Sequence, residues 1–287
     1  MADTDSPPAN LEDQAERIAR ELTIPPCPAI LVRFAAEMKK EDPDLRLLAT
    51  LIGNDVALSA AIINTVNSPF YGGRRKASNV QQALYVLGLQ RSAHLIARLL
   101  LRNAFPAGSG AMMQHFWDES TRMATTADDL APHIAGIDGD IAHTYALFRD
   151  CGMAVMIGKF PNYEQLVDIN AGKPGMTLLL AEEAHYRFNH GRVGYALGNS
   201  WLLPEFLCNA ILLHHDIERF TSAHCDTASA EARLVAFGML VEQVAALRDH
   251  GGLVPDWIPS ELFVLRSLGL TPEDIVLLCE QTATEEA

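Results

Sequence analysis

A chain of 287 residues with 49% hydrophobic content is long enough to bury a sizeable core, as one large helical domain or as two modest ones. No run of eighteen apolar residues occurs, and the opening MADTDSPPANLEDQAER is acidic and lacks the basic and apolar regions of a leader, so a cytoplasmic protein without membrane contact is expected. The formal charge of −14 opposes docking on a phosphate backbone, and direct nucleic-acid binding is not expected.

Apolar residues recur at helical spacing almost throughout and alternating β-branched runs are missing, which predicts an all-α fold. Asp44 is placed to cap a helix through Leu47, Leu48 and Leu51-Ile52, and Asp55 to cap another through Leu58, Ala61-Ile62 and Thr65. Asn67-Ser68-Pro69 ends the second of these; after a loop with Gly72-Gly73, Asn79 caps a short helix that stops at Gly88, and a further helix carries Leu95-Ile96 and Leu99-Leu100. The stretch Phe105 to Gly110 is the best linker candidate, so the predicted division is a helical lobe over 1–107 and a second lobe with a helical extension over 108–287. A helix through Trp117, Ser120, Met123-Ala124 and Leu130 follows, then a single, largely apolar helix from about Asp138 to Met156. Pro161, Pro174-Gly175 and Pro204 separate further helices, the last running into His214-His215-Asp216. Residues 226–287 read as two or three amphipathic helices around Pro255 and Pro259.

Five cysteines without a CxxC pair fit a reduced compartment and read as small apolar residues. Arg74-Arg75-Lys76, with Arg91, Arg98 and Arg102, is most simply a solvated basic face. No nucleophile elbow and no phosphate-binding loop is present. Ligand-type residues on apolar helices stand out instead: Glu119, Arg149-Asp150, His190 and His214-His215-Asp216. One such histidine is usually a satisfied core residue; a helical scaffold can bring several such groups together on a metal and its water, and four dispersed ligand-type residues weaken the core reading without reversing it. Glu182-Glu183 reads as a solvated helix start.

In the order Ile24-Pro25-Pro26-Cys27-Pro28, Leu51-Ile52-Gly53-Asn54-Asp55, Asn67-Ser68-Pro69-Phe70-Tyr71-Gly72, Ala83 to Leu89, Phe116 to Ser120, His190-Gly191-Arg192-Val193-Gly194, Trp201-Leu202-Leu203-Pro204 and His214-His215, the chain resembles the HDOD family over residues 20 to 216. That family is related to the HD and HD-GYP phosphohydrolases. The resemblance implies an HD-like helical second lobe and places Glu119 where the enzymes have their first histidine ligand. It places Arg149 on the histidine of the His-Asp pair, keeps Asp150 as the aspartate, and matches His190, His214 and His215 to later histidine positions. A guanidinium has no lone pair for a metal and carries a fixed positive charge. The resemblance therefore implies a degraded centre of Glu119, Arg149 and Asp150, with no confident catalytic residue. No cofactor is expected beyond weak binding of one iron, manganese or zinc ion at Asp150, His190, His214 and His215. The expected function is a non-catalytic signalling module that binds a protein partner or a small nucleotide-like ligand; the alternative is a metal-dependent phosphohydrolase acting on a nucleotide or cyclic dinucleotide.

Overall fold

The computed structural model describes residues 10–68, 76–105, 110–221 and 226–283. Among these residues all regular structure is helical and no strand occurs, as the periodicity predicts. No single described helix is long and apolar enough to cross a membrane. Packing divides the chain into two units, residues 25–106 and the remainder, which is built from 1–24 and 107–287.

The first unit contains α2 (Ala29–Met38), α3 (Leu45–Gly53), α4 (Val56–Val66), α5 (Val80–Leu87) and α6 (Leu89–Ala104). The predicted caps form. The Asp44 carboxylate accepts from the N–H groups of Arg46 and Leu47 at 2.8 and 3.2 Å, Asp55 accepts from Leu58 at 2.9 Å, and Asn79 from Gln82 at 2.8 Å. Gly88, at φ +74°, joins α5 to α6. Phe34, Leu48, Ile52, Leu58, Ile62, Leu84 and Ile96 meet in the interior. Asn67 holds the chain beyond α4: its side chain donates to the Ala77 carbonyl and accepts the Ala77 N–H, both at 2.8 Å. The motif residues Pro69 to Gly72, together with Gly73, Arg74-Arg75, the linker residues 106–109, His224 and Cys225, lie outside the described residues.

The second unit begins with α1 (Leu11–Glu21), which falls within the stretch 1–107 expected to form the first lobe. Its buried face, Ala15 and Ile18, packs on α12 (His190–Ser200). The unit continues with α7 (Ala111–Leu130), a 3₁₀ turn at Ala131–His133, α8 (Gly139–Phe148), α9 (Cys151–Lys159), α10 (Tyr163–Asn170) and α11 (Gly175–Tyr186). After α12 come α13 (Glu205–Leu213), α14 (Ile217–Thr221), α15 (Ala230–His250), α16 (Trp257–Leu268) and α17 (Pro272–Ala283). The single helix expected from Asp138 to Met156 is two: the chain breaks at Arg149-Asp150, where Asp150 leaves helical geometry at φ −104°, ψ 12°. Apolar periodicity runs through both pieces, so it could not show a break made by two residues.

α9 and α12 approach so closely at Gly152 that an ideal Cβ there would lie 2.0 Å from the His190 carbonyl oxygen and 2.8 Å from the Gly194 nitrogen. Both obstacles are backbone, so only glycine allows the contact. It places the starts of α9 and α12 side by side.

Candidate metal centre

Apart from Glu119, which lies in the middle of α7, the site residues singled out in the sequence sit at helix ends. Arg149 and Asp150 occupy the α8–α9 break, His190 is the first residue of α12, and His214 and His215 follow α13. Asn189 caps α12 by accepting the Arg192 N–H at 2.9 Å, which fixes the backbone that carries His190. The structure brings four of the predicted residues together. Single ligand atoms from Asp150, His190, His214 and His215 all lie within 4.8 Å of one another.

Two of these rings have their tautomer set. His190 is fully buried, and its Nδ1 lies 3.0 and 2.9 Å from the two oxygens of Glu182, which also accepts the His190 backbone N–H at 2.8 Å and the Tyr163 hydroxyl. His214 places Nδ1 2.6 Å from the Ile211 carbonyl, which can only accept. Both Nδ1 atoms are donors, so both Nε2 atoms present lone pairs. Those atoms are 3.3 Å apart, and Asp150 Oδ1 lies 3.1 Å from His214 Nε2 and 3.7 Å from His190 Nε2. Three acceptors converge on one point, and a positive charge is needed between them: a proton on His190 or a metal ion. A tetrahedral ion with bonds of about 2.1 Å separates its ligands by about 3.4 Å. The donor set fits one divalent ion, with Glu182 orienting His190 as outer carboxylates do at metal-bound histidines.

His215 completes the group. Its ring stands 4.1 Å from that of His214 between centroids, and Nδ1 lies 3.4 Å from Asp256, whose carboxylate also accepts the Gly175 N–H at 3.0 Å. An ideal Cβ on Gly175 would be 2.0 Å from the His215 Nδ1, so the glycine makes room for the ring. Burial, and then the neighbouring His214, pull His215 down to about 4. Burial also lowers His214 against the pull of Asp150. Burial acts downward on His190 as well, but the Glu182 carboxylate outweighs it and raises that ring. For Asp150, burial acts upward and is overcome by the charge of Arg149 and then by the neighbouring His214, which hold the carboxyl well below the usual range.

Arg149 is buried, with 3% of its surface exposed, and its Nη2 pairs with Glu242 Oε1 on α15 at 2.9 Å. The ion pair of Arg149 is made to Glu242 and not to the adjacent Asp150, while the guanidinium charge still acts on Asp150, His190, His214, His215 and Asp256. Glu119 stands apart from the four ligand atoms. Its carboxylate is gripped by Arg122, with Nε donating to Oε2 at 2.9 Å, and Arg122 also donates to Asp249 at 2.6 Å. Glu119 and Asp150 both line a mostly apolar cavity of about 180 Å³ with Met112, Phe116, Met123 and Met153.

Sequence reasoning missed Glu182, Tyr163, Glu242 and Asp256. The Glu182-Glu183 pair is not a solvated helix start. Glu182 is fully buried late in α11, whereas Glu183 is half-buried and accepts from Asn189 at 2.7 Å. The available signal was spacing: Glu182 precedes His190 by two helical turns' worth of chain across the Arg187 to Asn189 bend, where Arg187 takes φ +63°.

A model of the HDOD domain matches residues 24–217. Over 96% of each chain, the fold is similar to an HDOD domain protein of unknown function from Geobacter sulfurreducens, with 25% identity and a TM-score of 0.68. It is also similar to a candidate signal transduction protein from Marinobacter aquaeolei VT8, with 19% identity, a TM-score of 0.72 and coverage of 96% of this chain and 62% of that one. A candidate phosphohydrolase from Shewanella amazonensis SB2B matches at 19% identity and a TM-score of 0.67 over 93% of each chain. The alignment with a curated relative, an uncharacterized protein of Treponema pallidum, spans 42% of that protein's length.

Proposed function

The chain belongs to the HDOD family, which is related to the HD phosphohydrolases, and from that premise we propose that it is a non-catalytic regulatory module of bacterial signal transduction that acts by binding a protein partner. The observation that carries this reading is Arg149. A buried, permanently charged guanidinium beside Asp150 stands where the second ion of a two-metal centre would bring its own charge, and it cannot ligate. The fit is to one cation, held by Asp150, His190 and His214 with His215 adjoining. Such an ion would supply Lewis acidity, while Glu182, Tyr163 and Asp256 orient the rings and keep the interior closed. A nucleotide-like ligand is disfavoured in the adjoining cavity, because its lining offers the carboxylates of Glu119 and Asp150 and no Lys or Arg to a phosphate. The likeness to a candidate signal transduction protein supports the regulatory reading.

The second reading is a metal-dependent phosphohydrolase acting on a nucleotide or cyclic dinucleotide, and the four-residue cluster favours it. The test is hydrolysis of bis(p-nitrophenyl) phosphate and of a cyclic dinucleotide by protein loaded with manganese, iron or zinc. No turnover above an Asp150→Ala control is expected. Turnover that vanishes in that variant would establish the hydrolase instead.

A further inference from the structure

We propose that Glu242 is a positioning residue for this centre: by holding Arg149 in an ion pair it keeps the guanidinium off Asp150 and leaves the Asp150, His190 and His214 atoms open to a cation. This deepens the one-cation reading and rests on it. A buried guanidinium cannot lose its charge and is strongly destabilising without a carboxylate partner. The two carboxylates acting most strongly on Arg149 are Glu242 first and Asp150 second. The 2.9 Å contact goes to Glu242, so Asp150 Oδ1 is left to the two imidazole nitrogens at 3.1 and 3.7 Å. With its own partner, Arg149 is electrically matched, and the remaining charge of Asp150 together with two converging lone pairs defines the cation seat. Without that partner, Asp150 is the strongest remaining anion acting on Arg149, and a guanidinium bound there would take both the ligand oxygen and the charge that an ion requires.

Two features make Glu242 a point of control. It lies on α15, beyond the residues 24–217 matched by the family model, so the centre depends on a part of the chain outside that match. Its side chain is 28% exposed against 4% for Arg149, so it is the member of the pair that solvent reaches. Arg122, which grips Glu119, also feels the Glu242 charge, and this ties the latch to the cavity wall.

The experiment is zinc titration of the full chain, by calorimetry and by the shift in thermal midpoint, with crystal structures of the variants. Glu242→Gln preserves shape and removes the charge. It is expected to weaken zinc binding at least tenfold, as losses of outer-shell partners do, and to bring an Arg149 Nη within ion-pair distance of Asp150. The Arg149→Met/Glu242→Gln double variant removes the intruding charge and should recover wild-type affinity, a rescue that a merely structural role for Glu242 does not predict. Should Glu242→Gln fail to fold, Glu242→Asp, which draws the carboxylate back by one methylene, should show both changes in smaller measure. Zinc affinity unchanged in the single variants, or no recovery in the double variant, overturns the latch while leaving the one-cation reading standing. Absence of zinc binding in the wild type defeats the one-cation reading; the latch is then decided by the Glu242→Gln structure, and Arg149 still directed at residue 242 overturns it.

Discussion

Among the described residues of 25–106 the buried side chains are almost all hydrocarbon, Phe34, Leu48, Ile52, Leu58 and Ile96 among them; the exceptions there are Ser92 and Glu37, which is paired with Lys40 at 2.6 Å and accepts the Asp44 N–H at 3.0 Å. The other unit buries Arg149, Glu182, His190 and His214 within a similarly apolar interior. Hydrocarbon burial stabilises without reference to pH or direction, whereas a buried charge network is favourable only when each member is matched and hydrogen-bonded. The first unit, whose Glu37 carboxyl is held below its ordinary value by Lys40 and the Asp44 N–H, is therefore little affected by pH above the carboxylate range, and the second is exacting in geometry and sensitive to acid. Trp117, Trp201 and Trp257 all belong to the second unit, so tryptophan emission follows that unit alone, while helical circular dichroism follows both.

The sharpest break of this comparison comes from two Gly→Ala changes. Gly152→Ala must push apart α9 and α12 at two backbone atoms, and overpacking of that kind costs about 3 kcal/mol or more. Urea unfolding followed by tryptophan emission should show a midpoint collapse. Gly53→Ala, at the end of α3 with nothing within 4 Å of the added carbon, should gain about 0.5 kcal/mol in the first unit. A first-unit loss as large as that at Gly152 would erase the distinction.

Leu48→Ala removes a fully buried side chain from the hydrocarbon core and should cost about 3 kcal/mol by the ellipticity transition, equally at pH 5 and pH 8. A pH-dependent penalty at Leu48 would mean that its core is coupled to titrating groups, contrary to the account.

Acid should act on the second unit. His215, held at about 4, stays neutral in the fold while the unfolded chain protonates near its ordinary value, so the unfolded state binds more protons between about pH 6.5 and 4. Stability then falls with pH across that window, by about 2 kcal/mol at pH 5 from His215 alone. His214, also lowered, adds to the slope. Asp150, Glu182 and Asp256 are depressed, and their contribution, present above the ordinary carboxylate range, is lost as pH falls below it. His190 is raised, so its contribution is present below about pH 6.5 and fades as pH rises through its folded value, a smaller and opposite trend. Urea melts in chelator, read by tryptophan emission, should show the acid slope in the wild type and a flatter one in His215→Gln. Equal slopes in the two proteins would remove His215 from the explanation.

Local chemistry made much of this legible in the sequence. The caps at Asp44, Asp55 and Asn79 formed because a short polar side chain before an apolar run satisfies orphan N–H groups wherever it occurs. His190, His214, His215 and Asp150 were visible as ligand-type residues on apolar helices. What the sequence hid was pairing across distance. Glu242, on α15, and Asp256, just before α16, lie far along the chain from Arg149 and His215, and no spacing rule connects them. Glu182 looked solvated because a Glu-Glu pair usually is, and only the fold shows one member turned inward to Tyr163 and His190. The break at Arg149-Asp150 was masked by apolar residues on both sides, and α1 was assigned by sequence order when its packing partner is α12.

The most direct test of the central claim is the number of metal ions bound per chain, measured by elemental analysis after dialysis against manganese or zinc, for the wild type and Arg149→His. The account predicts one ion in the wild type and a second in the variant, where an imidazole replaces the fixed charge. Two ions in the wild type, or none, would contradict it.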